Sequence, residues 1–539
     1  MTTRRYIPGT NREVAPGYEL SAGLGDAITA TVSFWLAPKS LTVREKALAL
    51  MATPFKDREY YSLKQLQEEF GPDEDIVAEV KDFAQTHQLK ILYQESGSRL
   101  LSLAVPLREA DELFEAKIAK YISDNMPSYW GRTGSIGLST DDFPSEETFD
   151  KIQGVFGLDN RPQAKQFSTA VEPKEAVMAA ALTKTGFPPP AYNFPPPLKS
   201  ASVPQPAGPA TPAPTSQVIG VIGFGNTITL EAVQAKSPGA EIVMMPAQSI
   251  SQRDERFMTE TLIDVSVIHA CAPQAQIVIY SFDETDHGWI SGLNSILQSD
   301  NPPSVLSISW GWPEVCRTGV GQTLLWTQAS VDAIEDLLAA LTLRGVTVVV
   351  SSGDFGPRVC YPATSAFVLA CGGTRLSAKN ESAWSDATAA SGGGMSTLVK
   401  MPDWQTQAGI HCTGTAPTDN TDHRCIPDVA ASAFFGQAAG TSIAAPLWAA
   451  VIALINEQIV VENQSSALGM QRPLVGNINA LLYKTGSPLQ AACTDVTTGN
   501  NALPAGNGTF YSATPKWDAC TGWGSPKVSE LIAAILSAA

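Results

Sequence analysis

Four apolar runs in the second half of the chain constrain its fold more than any other feature: VIGVIGF from Val218, AQIVIYSF from Ala275, VLSIS from Val305 and VTVVVSS from Val346. Each ends in small or turn-forming residues, and helical stretches separate them. Near-continuous apolar strands belong to a parallel sheet covered on both faces, because neither face then meets water. The expectation is an α/β, doubly wound parallel sheet. In such sheets the chemistry sits at the carboxyl ends of the strands.

The rest of the chain reads differently. At 539 residues it exceeds what one ordinary core supports. Between about residues 28 and 123, TATVSFWLAP alternates as a strand and residues 73–88 form an amphipathic helix. KILYQ and RLLSLAVPL then form a hairpin around residues 95–98, and residues 108–123 read as a charged helix. Strands without single crossover helices between them predict a small α+β domain. Residues 186–217 are loaded with proline (FPPPAYNFPPPLKSASVPQPAGPATPAP), which predicts an extended connector on a surface.

Composition excludes some partners. Asp and Glu outnumber Lys and Arg 53 to 36, a net charge of -17 that repels phosphate backbones, so no nucleic acid is expected. Charged residues make up only 17% of the chain, so less self-repulsion builds up when carboxylates protonate in acid. No run reaches the ~20 apolar residues needed to span a bilayer, and no membrane partner is expected. The N-terminal MTTRRYIPGTNREV has no apolar core, so no ordinary secretory signal is visible. The eight cysteines show no paired CxxC spacing of a zinc site. Cys412 and Cys425 bracket a polar loop, either as a disulfide in an exported protein or as separate buried thiols.

Candidate chemistry begins at Ser442 in GTSIAAPLWAAVIALIN, where a long apolar helix follows small residues and tolerates Pro446 in its first turn. A serine there sits at the positive end of a helix, open to close approach by a substrate backbone. A plain N-cap serine is the bland alternative, but G-T-S-x-x-A-P is the serine signature of subtilisin-like folds. Such an enzyme also needs a base. None of His87, His269, His287, His411 and His423 lies in a glycine-rich catalytic context. Glu260 and Asp264, four apart in FMTETLIDVSVIHACAP, share one helix face. From residue 257 to residue 316 there is no Lys or Arg, so neither acid has a cation nearby in sequence. Carboxylates held together in a dry site share a proton, and one pKa rises, which lets a carboxylate act as base in acid. Asp354, in the turn after VTVVVSS, is placed at a strand's carboxyl end and, if protonated, can donate to an oxyanion.

Taken together, these motifs resemble the sedolisin family of serine-carboxyl peptidases, most closely the kumamolisin type. ETLIDVSVIHACAPQAQIVIY, SISWGWPE with Trp310, VTVVVSSGDFG, YPATSAFVLACGGTRL and GTSIAAPLWAA carry the similarity over nearly the whole chain. The resemblance implies a self-processing zymogen that hydrolyses peptide bonds in acid. In it Ser442 is the nucleophile, Glu260 the general base, Asp264 its orienting partner and Asp354 part of the oxyanion hole. It further implies a ferredoxin-like activation prodomain over 1–165 acting as intramolecular inhibitor, a processing segment over 166–187, and a peptidase domain over 188–539. The loop TDVTTGNNALPAGNGTFYSATPKWDACTGWGSP resembles the family's calcium loop, implying one Ca2+ held by Asp495 and Asp518 and by the carbonyls of Val496, Thr514 and Lys516. A secreted monomer acting on protein or peptide substrates is expected. Two departures stand out. Gly223 stands where the family often has a glutamate, which would leave Trp310 without its partner, and Cys360 replaces an aspartate at the second subsite, removing a preference for basic residues there. The competing readings are a histidine-dependent subtilisin-like protease and an inactive peptide-binding pseudoprotease.

Overall fold

All four apolar runs become neighbouring parallel strands. The structure is a computed structural model that describes every residue except 1–2, 22–27, 125, 168, 171–186, 198–216, 226–227, 247–254, 319–320, 378–379, 413–421, 466–472, 505–507 and 538–539. One sheet has eight strands: Glu241–Met244, Gln276–Phe282, Val218–Phe224, Val305–Ile308, Thr347–Ser351, Val368–Leu376 and Glu381–Ala383 in spatial order, with Val429–Ser432 also pairing to Val368–Leu376. Only the short Glu381–Ala383 strand runs antiparallel to its neighbour. Val348, Val349 and Val350 are all fully buried, so both faces of the sheet are covered at once. The helices Glu255–Cys271 and Thr441–Ser465 pack together against it, and so do Asp286–Leu297 and Gln328–Leu343. Thr441–Ser465 is apolar and long enough to cross a membrane by composition, but its residues from Ile443 to Ile452 are buried in this core.

The N-terminal unit is a separate four-stranded antiparallel sheet in the order Lys90–Gln94, Leu100–Pro106, Thr29–Leu36, Ile152–Phe156. This strand order, with helices such as Val43–Ala52 and Glu74–Thr86 between Thr29–Leu36 and Lys90–Gln94, is the ferredoxin-like α+β arrangement. The alternating TATVSFWL strand, the Glu74–Thr86 helix and the hairpin form as the sequence predicts. The helix expected over residues 108–123 does not. Only Ala110–Phe114 is α-helical; Glu115 takes a left-handed φ of 52°, and Ala119–Ile122 is a strand paired with Tyr129–Gly131. Burial explains this outcome, since Leu113 and Phe114 are buried against the sheet while Tyr121 alternates inward on the strand.

This unit sits on the large-sheet domain through defined contacts. Helix Val43–Ala52 packs on Gln328–Leu343, and Arg44 and Arg99 both pair with Asp336, at 2.6 and 2.8 Å. Arg58 donates to the carbonyls of Val475 and Asn477. His287 inserts its ring into the sheet, its Nε2 2.8 Å from Ser33 Oγ. The chain then leaves the unit along the carboxyl edge of the large sheet. Most of the proline-rich connector and of the processing segment lies outside the described residues. Residues 187–197 are described, and there the Tyr192 hydroxyl is anchored to Glu381 and to the backbone N–H of Ser432.

Candidate active site

Ser442 lies in the first turn of Thr441–Ser465, at the carboxyl edge of the sheet, and is fully buried. Its Oγ makes no hydrogen bond among the described residues. Small residues before it bring the backbone in close: a Cβ on Gly440 would lie 2.9 Å from Asp354 Oδ2. Asp354 is held in a turn whose Gly353 and Gly356 have φ of 106° and 60°, conformations that a β-carbon disfavours. Its Oδ1 accepts from the Thr441 N–H at 2.9 Å and the Thr441 hydroxyl at 2.8 Å, which leaves Oδ2 turned toward Gly440.

Glu260 and Asp264 stand one turn apart on Glu255–Cys271, both fully buried, as their spacing requires. Burial first, and then the neighbouring Glu260, push the Asp264 carboxyl well above its usual range, while Ser309 opposes the rise. Ser309 Oγ is 2.6 Å from Asp264 Oδ1 and 3.2 Å from the Ser442 carbonyl oxygen, so this hydroxyl spans the acid and the nucleophile's backbone. Asp354 is also pushed well above the carboxylate range, chiefly by burial, with Glu260 adding to it. Asp264 and Asp354 therefore favour their protonated forms, and Glu260 is close enough to act on both.

Three of the five histidines bond to other groups. His87 meets Asp142 at 2.8 Å, His287 meets Ser33, and His423 meets Asp422 at 3.0 Å, while His411 is exposed. His269 ends its helix half-buried. Gly223 and Trp310 correct an expectation. A Cβ on Gly223 would lie 2.8 Å from Thr261 Oγ1 and 3.0 Å from Ile228, so a side chain there would crowd the helix that carries Glu260. The Trp310 indole is not left without a partner: it donates to the Ile222 carbonyl at 2.9 Å.

Residues that sequence reasoning missed are Ser309, Thr441 and Gly440. Ser309 carried one signal, its place at the carboxyl end of an apolar strand. Cys360 is buried behind Gly353, whose Cβ would lie 2.9 Å from its sulfur. All eight cysteines are free thiols, those of Cys412 and Cys425 included.

In the C-terminal loop, Asp518 accepts from the N–H groups of Thr514, Cys520 and Thr521, and Asp495 accepts from that of Lys516. Lys516 has a φ of 70°, which curls the loop over these acids. Among the described residues no group of three or more His, Cys, Asp or Glu is placed to hold a metal. The donor set still suits a hard cation: burial drives the Asp518 carboxyl up to about 6, a penalty that a cation bound by oxygens would offset.

Residues 23–161 match the family described as Pro-kumamolisin, activation domain, and residues 242–496 match the Subtilase family. The chain is 28% identical over 541 residues to kumamolisin of Bacillus sp. (strain MN-32), covering 92% of this chain and 88% of that protein. In prodomain and catalytic domain alike the chain is similar to the sedolisin family of serine-carboxyl peptidases. It is also 26% identical to sedolisin of Pseudomonas sp. (strain 101) over 72% of this chain and 67% of that one. Tripeptidyl-peptidase 1 of Dictyostelium discoideum is 30% identical over 51% of this chain and 46% of its own. The chain is thus a serine-carboxyl peptidase that carries an activation prodomain ahead of a subtilisin-like sheet.

Proposed function

We propose that Ser442 attacks peptide carbonyls with Glu260 as its base, and that the enzyme works in acid through an acyl-enzyme. The observation that carries this reading is the convergence of one buried serine with three buried acids, Glu260, Asp264 and Asp354, while the hydrogen bonds of His87, His287 and His423 lead elsewhere. Glu260, kept near a protonated Asp264, takes the proton as Ser442 Oγ bonds to the carbonyl carbon. The developing oxyanion receives the Ser442 N–H and the proton of Asp354, whose Oδ2 faces Gly440. Glu260 then returns the proton to the departing amine, and water repeats the sequence on the acyl-serine. Asp264 does not touch substrate; with Ser309 it fixes the position and protonation of Glu260.

The activation prodomain serves as intramolecular inhibitor, supported by its ion pairs to Asp336 and by the strand it feeds into the cleft. One Ca2+ is assigned to Asp495, Asp518 and the Val496, Thr514 and Lys516 carbonyls, where it would tie the C-terminal loop to the domain. Export, and a monomeric enzyme acting on proteins or peptides, follow from the same reading.

Fluorophosphonate labelling together with Glu260→Gln tests the proposal. Labelling should map to Ser442, and Glu260→Gln should lower kcat/KM by ~10²–10⁴. Undiminished activity in Glu260→Gln would exclude the carboxylate base.

A further inference from the structure

Just beyond the N-terminal sheet, the chain enters the cleft as an extended strand. Lys165 and Gln166 pair antiparallel with Gly311 and Trp310 on one rim. Thr169 and Ala170 pair antiparallel with Ala439 and Ala438 on the other. A segment that completes strands on both sides of a nucleophile lies as a substrate backbone would.

Between these two pairings, the Phe167 carbonyl oxygen accepts from the Ser442 N–H at 3.4 Å. A Cβ on Gly440 would lie 1.9 Å from that same oxygen and 2.9 Å from Asp354 Oδ2. Thus the Phe167 carbonyl is held against the nucleophile's own amide, on the side where Asp354 faces in. The Phe167 side chain is 1% exposed, although it belongs to a connecting segment. Its ring stands edge-on to Phe355, with centroids 5.9 Å apart at 87°. Glycines form the other walls: a Cβ on Gly311 would lie 3.1 Å from the ring, and one on Gly353 3.8 Å from its tip. Cys360, expected at the second subsite, instead closes this pocket behind Gly353 with a thiol, not a charge. The outer face of Phe355 carries the Lys165 ammonium at 5.0 Å, so the two residues flanking Gln166 grip one aromatic ring between them.

We propose that self-processing breaks the peptide bond joining Phe167 to Ser168, and that the pocket lined by Gly311, Gly353, Phe355 and Cys360 makes the mature enzyme select an aromatic residue on the acyl side of the bond it cuts. This rests on Ser442 acting as nucleophile. Ser442 Oγ bonds to the Phe167 carbonyl carbon, the carbon–nitrogen bond to Ser168 breaks, and the Ser168 nitrogen leaves with the proton held by Glu260. Water then frees the Phe167 carboxylate. The uncharged floor at Cys360 and the glycine walls leave room for a flat ring, and a carboxylate at the same place would be buried without a cation.

Acidification of the full-length chain, with intact-mass measurement of the earliest fragments, tests this. The expected first N-terminal product ends at Phe167. Phe167→Asp should slow that cut on the order of 10²-fold, while its melting curve reports whether the zymogen still folds. On processed wild-type enzyme, peptides differing only in Phe or Asp before the cut should differ in kcat/KM by at least ~10-fold. A first cut elsewhere that still requires Ser442 would overturn this inference and leave the nucleophile standing, and so would indifference between the two peptides. Normal processing in Ser442→Ala, with no other protease present, would overturn both.

Discussion

Replacing His287 with glutamine should flatten the pH dependence with which the prodomain grips the peptidase domain. His287 begins the Asp286–Leu297 helix and places Nε2 2.8 Å from Ser33 Oγ, itself 2.7 Å from Ser102 Oγ, inside the prodomain sheet. The charged groups around it are Asp286, Arg12, which pairs with Asp286, and Asp159 on the far side of Arg12. Burial lowers the His287 pKa from 6.5 to about 4, and the nearby Asp286 only partly opposes this. Above pH 6.5 the ring is neutral whether docked or released, and its contribution to docking is complete. As pH falls toward 4 the released ring takes a proton that the docked ring refuses, so docking weakens across that window. At about 1.4 kcal/mol for each pH unit, this amounts to about 3 kcal/mol. Glutamine keeps a hydrogen-bonding group for Ser33 and does not titrate. Hydrogen exchange of the Thr29–Leu36 and Leu100–Pro106 amides, in a Ser442→Ala background that cannot cut itself, reads the opening free energy at each pH. The wild-type ring should lose about 3 kcal/mol more than His287→Gln between neutral and acid pH. Equal losses in both proteins would refute the reasoning.

Two further perturbations have defined outcomes. Ser309→Ala removes the donor 2.6 Å from Asp264 Oδ1, a bond that favours the ionised acid. Activity should fall ~10-fold or more, with the acid limb of kcat/KM moving to higher pH, a shift that simple loss of packing would not produce. Chelation at neutral pH should lower the melting temperature by roughly 5–10 °C, because Asp518, with its pKa near 6, is then ionised and desolvated without a cation. At acid pH the proton relieves the same penalty, so chelation should matter less there, and Asp518→Asn should respond little at either pH.

The sequence was readable where a residue's role is encoded by its neighbours in the chain. Unbroken apolar runs of strand length have few other uses, so the parallel sheet and its order of chemistry followed from them. Glu260 and Asp264 were legible for a similar reason: helical spacing put them together, and the cation-free stretch around them left burial as the consequence. Residues 108–123 misled because charge at every few positions suits a helix and a surface strand alike, and only the burial of Tyr121 decides between them. Trp310 misled differently, since its partner is a main-chain carbonyl that leaves no trace in residue type. Ser309 and Phe167 act through contacts with residues far along the chain, Asp264 and Ser442; only the strand end before Ser309 hints at a role, and nothing local marks Phe167.

The mechanism requires a carboxylate as the base, and the pH profile of kcat/KM on processed enzyme tests this most directly. The working state has Asp354 protonated and one proton shared by the Glu260–Asp264 pair, which titrates as a unit. Burial raises Asp264 and Asp354 above the usual carboxylate range, so these protons persist into mild acid and are stripped as pH rises further. Three crowded negative charges would then surround a site where negative charge must develop. Measured from about pH 3 to about pH 8, activity should peak in acid and be nearly lost at neutrality, and Asp354→Asn should fall less steeply on the alkaline side. A plateau extending above about pH 7 is the signature of a histidine base and would contradict the assignment of Glu260.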